Sequence, residues 1–274
     1  MHYQQHYPSP VLAEYIECYW ILRMHHEHFN KQRLIPGGRI EMIFNFGSSV
    51  SWMVNEHNEV EGMLENDIGV MGQRNKIYFA AFNGPLNLMG VRFKPGGLAA
   101  FSDIPAMLLL NKLLNAENVF GVCVKDWKEK IQDQKEDGKK FLLMDILMLS
   151  VLKNKPVEWK TMHAMIDSIR MINDPVSISA ICHQTGWNYK KLERSFLKYT
   201  GYTPKQYTRI IRFNKALRQI DKNIQSLTAT GFEYGYYDQA HFIKDCIHLA
   251  GTTPGRLKTD EHTIAGLLVA HQPV

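Results

Sequence analysis

The spacing of apolar residues along the chain changes twice, and each change predicts a different kind of structure. Up to about Lys112 the pattern is that of short strands. Arg39 to Phe46 sets Ile40, Met42, Phe44 and Phe46 at every second position, the period of a strand with one face buried. Ile16 to Met24, centred on Tyr19-Trp20, reads as another strand, and Val50–Val54, Ile68–Met71, Ile77–Phe82 and Leu86–Phe93 as further ones. Pro36-Gly37-Gly38 and Asn83-Gly84-Pro85 are turns between them, and Ser9–Glu14, with Pro10 near its start, is a short helical turn. Short strands at such intervals predict a barrel or sandwich.

After Pro95-Gly96-Gly97 the period becomes helical. Leu98–Ser102 and Pro105–Leu114 read as short helices, Val124–Gln134 and Lys139–Leu152 as longer ones. Lys153-Asn154-Lys155-Pro156 interrupts the pattern. Val157–Ile172 is then amphipathic, with Trp159, Met162, Met165, Ile166, Ile169 and Met171 on or near one side, and Asn173-Asp174-Pro175 punctuates its end. The fold class expected is α+β: a β-barrel or sandwich-like domain with trailing helices over 1–155, an all-α domain over 156–260, and a tail over 261–274.

The all-α part contains an internal repeat, which outranks any single motif as evidence. Ser177 opens a first helix that ends at Gly186. Asn188 then caps a second helix, Tyr189 to Lys198, and Gly201-Tyr202-Thr203-Pro204 closes the unit. A second unit runs from Ser226 through Gly235-Tyr236-Tyr237-Asp238-Gln239-Ala240-His241-Phe242-Ile243-Lys244 to Gly251-Thr252-Thr253-Pro254. Gly186 and Gly201 are 15 residues apart, Gly235 and Gly251 16. Leu192, Phe196 and Leu197 recur inward on the first of these second helices. In the second unit Phe242 and either Cys246 or Ile247 do so, leaving Gln239, His241, Lys244 and His248 outward. A glycine at the turn tolerates a sharp backbone angle and lets the following helix stand away from its domain.

These residues resemble the DNA-binding domain of the AraC/XylS family of bacterial transcription regulators, over about Asp174 to Leu257. The match includes a linker helix from Pro204 to Leu217, extending to Lys222. The resemblance implies two recognition helices in successive major-groove segments. Asn188, Tyr189, Lys190, Arg194, Gln239, His241 and Lys244 would read bases or scaffold the readers, with Lys190 and Arg194 foremost. Lys191, Lys198, Arg209, Arg212 and Lys215 would hold phosphates. Trp187 is expected to pack in the turn, and His241 is open between exposure and partial burial. The chain departs from the family at Thr230-Gly231, where Ile-Ala is usual, and at Cys246, where Phe is usual. Both changes loosen the packing beneath the second recognition helix. A helical glycine alone costs about 1 kcal/mol relative to alanine. More loosely, Tyr15-x-x-Cys18-Tyr19-Trp20, Ile35 to Glu41 and Gly90 to Gly97 are similar to an uncharacterised domain that precedes such DNA-binding domains. That likeness implies a sensing or dimerisation module without naming a ligand.

Charge agrees with a nucleic-acid partner. Of 274 residues, the segment Lys160–Asp260 holds 15 Lys and Arg against 8 Asp and Glu, while the remainder holds 17 against 19. The whole positive excess therefore sits with the repeat, the footprint that phosphate binding needs. The cysteines Cys18, Cys123, Cys182 and Cys246 are far apart, lack metal-ligand spacing and read as reduced thiols of a cytoplasmic protein. That spread also excludes a four-cysteine zinc-thiolate repair centre. The most apolar run, Phe141–Leu152, is too short to span a bilayer, and the polar Met1–His6 is no signal peptide.

His25, His26, Glu27 and His28 invite a metal reading, but no further ligands follow in order, so an exposed polar loop is preferred and no cofactor is expected. Arg92, Lys94 and Glu41 read as solvent-facing strand residues rather than a cavity lining. Trp20, Phe44, Phe46, Trp52, Tyr78 and Phe82 read as core fill rather than a pocket floor. No acid–base pair, phosphate loop or activated nucleophile points to an enzyme. The expected partners are double-stranded DNA and RNA polymerase, with a small-molecule effector and a second copy of the chain as further ones, and no membrane. The alternative is a small-molecule-binding or enzymatic barrel with a weakened DNA-binding tail. A regulator whose barrel only dimerises is a third reading.

Overall fold

Ile16–Met24 is apolar at nearly every position because both of its faces are covered. In the computed structural model of the chain, which describes residues 1–25, 29–54, 59–153, 157–171, 177–222 and 235–257, it is the second strand of ten. The strands are β1 (His2–His6), β2 (Ile16–Met24), β3 (Phe29–Leu34), β4 (Glu41–Asn45), β5 (Val50–Val54), β6 (Glu59–Leu64), β7 (Ile68–Met71), β8 (Tyr78–Asn83), β9 (Leu86–Phe93) and β10 (Leu113–Asn115). A six-stranded antiparallel sheet has the order β1-β2-β9-β4-β7-β10, and a four-stranded one the order β3-β8-β5-β6. The two do not close into a barrel.

Strand alternation sorts the side chains into two cores. Trp20 and Leu22 of β2 and Ile43 of β4 meet Val50, Trp52 and Phe82 of the smaller sheet. Their neighbours Tyr19, Ile21, Met42, Phe44, Val91 and Phe93 point the other way, into a helical layer that includes Phe141, Met144, Trp159 and Ile166. The molecule is thus three layers: small sheet, large sheet, helices. Ile40, Met42 and Phe44 do share a face, but Ile43 behind them is buried too, so β4 is covered on both sides and not half-buried.

The helical layer holds α1 (Glu117–Phe120), α2 (Trp127–Gln132), α3 (Asp137–Ser150) and α4 (Val157–Met171). After it come α5 (Ile178–Thr185), α6 (Tyr189–Thr200), α7 (Pro204–Lys222), α8 (Gln239–Ala250) and α9 (Pro254–Leu257). On α4, Trp159, Met162, Met165, Ile166 and Ile169 are all buried, as the amphipathic pattern requires. The Trp159 indole donates to the Gly96 carbonyl at 2.9 Å, so α4 is anchored to the turn that ends the β-rich region.

Several expectations change. Pro105–Leu114 is not one helix: a 3₁₀ turn at Ala106–Leu109 leads into β10, because Asn111 takes a left-handed φ of 59° and helical bonding cannot continue through it. Asn83-Gly84-Pro85 does join β8 to β9, but those strands lie in different sheets, so the turn crosses between layers. The polar start of the chain is an edge strand, β1, with alternating exposure. Arg92 and Glu41 are not solvent-facing. Arg92 is 1% exposed, its Nε lies 2.6 Å from Glu41 Oε1, and both residues sit opposite one another in the β4–β9 register. The readings at His26, Glu27 and His28, at Asn154–Pro156, at Asn173-Asp174-Pro175, at Ser226, at Thr230-Gly231 and over 261–274 fall outside the described residues.

Gly90 faces Trp20 across the β2–β9 pairing, and a Cβ there would run into the indole ring. Gly90→Ala should therefore lower unfolding stability by about 1–3 kcal/mol through overpacking. Urea denaturation followed by tryptophan fluorescence would show this as a lower midpoint at an unchanged slope.

Candidate nucleic-acid interface

The two helices α6 and α8, which the sequence reading takes as recognition helices, are built alike. Each has twelve residues, hence a length of about 18 Å at 1.5 Å per residue. Asn188 Oδ1 accepts from the Lys191 amide at 2.9 Å, and Asp238 Oδ1 from the His241 amide at 2.6 Å, so both N-termini carry the expected cap. Both C-termini end on a left-handed glycine, Gly201 at φ 74° and Gly251 at φ 69°. The turn glycines Gly186 and Gly235 are left-handed as well, at 65° and 74°. Four positions that need positive φ are thus four of the glycines that define the repeat.

Those C-terminal corners are what the rest of the protein holds. A Cβ on Gly201 would collide with the Gln73 amide, and one on Gly251 would touch Ile77. The Tyr202 hydroxyl donates to the Arg74 carbonyl at 2.6 Å. Both helices therefore dock by their C-terminal ends on the segment between β7 and β8. Their N-terminal ends face away, with Asn188, Tyr189, Lys190, Lys191 and Arg194 exposed on α6 and Gln239 and Lys244 exposed on α8.

The sequence-assigned contacts then separate into groups. Lys190 and Arg194 are exposed and make no ion pair among the described residues. Lys191 Nζ lies 4.4 Å from the ring centroid of half-buried Trp187, which packs in the turn. The Tyr189 hydroxyl bonds Glu193 at 3.2 Å. Lys198 is half exposed and lies 3.8 Å from Glu158 of α4, whose other oxygen accepts from Ser195 at 2.6 Å. Leu192 and Phe196 are fully buried and Leu197 partly so.

On the second unit, Cys246 is the buried choice and Ile247 is 52% exposed. Beside Cys246 the apolar stripe is broken by Asp245, only 2% exposed. Arg209 Nε donates to Asp245 Oδ1 at 2.8 Å, Arg212 Nη2 lies 3.4 Å from Oδ2, and the Tyr236 hydroxyl donates to Oδ2 at 3.1 Å. The Arg212 guanidinium also stacks on Tyr236, 4.3 Å from the ring centroid. Burial, with Asp245 adding to it, raises the Tyr236 hydroxyl far above the usual tyrosine range, so it stays a donor. His241 is half-buried between Arg212 and Tyr236, its ring nitrogen 3.4 Å from Arg212 Nη2. Arg209 and Arg212 thus clamp α7 to α8, with side chains 38% and 25% exposed. The clamp was missed in the sequence. Its signal was a carboxylate on the core stripe of α8, between Phe242 and Leu249.

The sandwich core offers little room. Trp20, Ile43, Trp52, Glu41 and Arg74 surround a cavity of about 40 Å³. That volume holds about one water. The aromatics there are core fill. Among the described residues no group of three His, Cys, Asp or Glu could hold a metal ion, and no helix is long and apolar enough to cross a membrane.

Asp245→Ala would leave two guanidinium groups and a buried hydroxyl without their acceptor. It should cost about 2–3 kcal/mol, discounted for the exposure of Arg209. Hydrogen exchange should show the loss concentrated in α8 and the adjoining face of α7, with β2 and β9 unchanged.

Comparison with known proteins agrees with this geometry. Residues 181–260 match a helix-turn-helix domain family, and residues 4–115 match a domain of unknown function, DUF6597. An uncharacterized HTH-type transcriptional regulator, YbfI of Bacillus subtilis (strain 168), is 35% identical over 66 residues, 24% of each chain. The alignment thus spans about a quarter of that relative's length. ToxT from Vibrio cholerae is similar in structure at a TM-score of 0.48 and 10% identity, over 94% of this chain and 98% of that one. A ToxT structure with an unsaturated fatty acid bound gives 0.48 at 10% identity, over 87% and 94%. The helix-turn-helix likeness thus lies over the paired helices at residues 181–260, and the DUF6597 likeness over the β-rich part at residues 4–115.

Proposed function

We propose that this chain is a sequence-specific DNA-binding transcription regulator whose DNA-binding part is residues 156–260 and whose sensing or dimerising part is residues 1–155. The observation that carries the reading is the matched pair of capped helices, held by their C-terminal corners with their N-terminal ends free. In this reading α6 and α8 enter successive major-groove segments. The 19-residue α7 between them is about 28 Å long and fits a separation of about one turn of DNA.

Lys190 and Arg194 read base edges from α6, with Asn188 and Tyr189 placing them. Gln239 and Lys244 do so from α8, with His241 as their packed support. Lys191 and Lys198 hold phosphates. Arg209 and Arg212 set the angle between α7 and α8 first and reach phosphate only through their exposed edges. The protein acts by binding, with RNA polymerase and a second copy of the chain as its macromolecular partners and a small molecule as its effector.

Fluorescence anisotropy against the chain's own upstream DNA and a scrambled duplex, over a salt series, tests the reading. Tighter binding to the native fragment, falling steeply with salt, is expected. Equal weak binding to both duplexes would sink it. Within that assay, Arg194→Ala should cost about 1–3 kcal/mol on the native site and little on the scrambled one. An equal loss on both duplexes would make Arg194 a phosphate contact instead.

A further inference from the structure

Three side chains on the wall of the sandwich cavity carry hydrogen-bond donors that nothing in the fold answers. Trp20 of β2 and Trp52 of β5 face it from opposite sheets, 4% and 6% exposed. The indole Nε1 of each is buried and has no hydrogen-bond partner among the described residues. Arg74, from the segment between β7 and β8, is the third. Its guanidinium makes neither a hydrogen bond nor an ion pair among the described residues. Glu41 is the only carboxylate among the described residues of the wall, and Arg92 Nε already holds its Oε1 at 2.6 Å. Leu22, Ile43, Val50 and Leu88 make much of the remainder apolar.

Two arginines thus share one carboxylate. Both Nη atoms of Arg92 are buried and have no hydrogen-bond partner among the described residues. Cys18 lies opposite Arg92 in the β2–β9 register, and Tyr3 lines the cavity. Burial pushes both up to about 12, so neither brings a negative charge. Glu17, the next carboxylate near Arg92, is engaged by Arg39 at 2.9 Å. Burial, opposed by Glu41, lowers Arg74 below the usual arginine range. The cluster is therefore left with one positive charge in excess. Buried donors without acceptors and a buried charge without a partner both cost stability, and a single bound group can relieve the two together.

We infer that this cavity binds one monovalent anion of halide size, such as chloride, held between Arg74 and the indole N–H groups of Trp20 and Trp52. The volume is about that of one water, so it admits a halide and excludes an organic acid. A dianion would overshoot a single excess charge. A water would answer the indoles and leave the charge, whereas an anion answers both. Arg74 joins the site to the helices beyond the sheet. Its carbonyl accepts from the Tyr202 hydroxyl at 2.6 Å, its neighbour Gln73 lies under Gly201, and Ile77 lies under Gly251. An anion that fixes the Arg74 side chain therefore stiffens the segment on which α6 and α8 dock. Calling the anion an effector rests on the regulator reading above; the binding itself does not.

Tryptophan fluorescence of the full chain, titrated with bromide at an ionic strength held constant with gluconate, tests the inference without DNA. Bromide in the cavity lies against Trp20 and Trp52, so its quenching should saturate at a single site and be reversed by chloride. Gluconate, too large to enter, should do neither. Arg74→Gln should weaken bromide by about tenfold, the loss of one charge-assisted hydrogen bond. Lys190→Gln on α6 should leave it unchanged. Chloride competition in the unaltered chain decides the matter even where Arg74→Gln fails to fold. Quenching that rises linearly with bromide, or that chloride does not reverse, would mean that a water fills the cavity and would overturn the inference. Full affinity in a folded Arg74→Gln, or an equal loss in Lys190→Gln, would do the same. DNA anisotropy in parallel separates the two readings. Saturable halide binding without sequence-specific DNA binding would remove the regulator and keep the anion site. The reverse would remove the site alone.

Discussion

The six-stranded sheet has two apolar faces, and neither can be left in water. That requirement shapes the molecule. Trp20, Leu22 and Ile43 on one face call for the four-stranded sheet; Tyr19, Met42, Phe44 and Phe93 on the other call for helices. The helical cover begins with α3 and α4, and Trp159 fixes α4 to the turn at Gly96. Because Phe196, Tyr202, Tyr207 and Phe213 join the same apolar cluster, the helices that follow α4 are packed onto the β-rich half rather than tethered to it. At about 25 cal/mol per Å² of apolar surface removed from water, burial in this continuous core does most to hold the two halves together.

What this docking leaves exposed follows from where it grips. Gly201 and Gly251 allow close approach at the C-terminal ends of α6 and α8, and the chain between β7 and β8 fills the space a side chain would occupy at each. A helix held by its C-terminal corner presents its N-terminal turn outward, with free amide dipoles that favour anions. The first helix is held by packing, through Leu192 and Phe196. The second has Cys246 where a larger side chain would fill the core, and the Asp245 clamp supplies part of its attachment. A buried carboxylate with three donors is a directional fastening, so it sets the angle of α8 as well as its stability.

The repeat was legible because its signals are local: caps, glycines and helical period all lie within a few residues of the structures they make. Ile16–Met24 and Leu86–Phe93 were legible as strands for the same reason. What could not be read was long-range. The small sheet that buries the back of β4 is assembled from segments far apart in sequence, so alternation at Ile40, Met42 and Phe44 implied one covered face when there are two. β1 and β10 are made strands by their neighbours: His2–His6 is polar, and Leu113–Asn115 continues an apolar run that reads as helix. Arg92 looked exposed because arginine in a strand usually is, and its partner Glu41 is 51 residues away.

The same limit applies to charge. The positive excess over Lys160–Asp260 reads as one footprint for phosphate, but five of its fifteen cations are placed elsewhere. Arg209 and Arg212 face Asp245, Arg170 faces Glu17 and Asp167, and Lys215 and Arg218 line the space against the β-rich domain. Cations left toward the outward ends of α6 and α8 are fewer: Lys190, Lys191 and Arg194 on α6, and Lys244 on α8. Each phosphate contact contributes a slope of about −0.9 to the logarithmic salt dependence of binding, so net charge overstates how steep that dependence is. α7 is consequently more than a spacer between α6 and α8. One of its faces fixes α8 through Arg209 and Arg212, and another meets the β-rich half, where Asn214 donates to the Pro36 carbonyl.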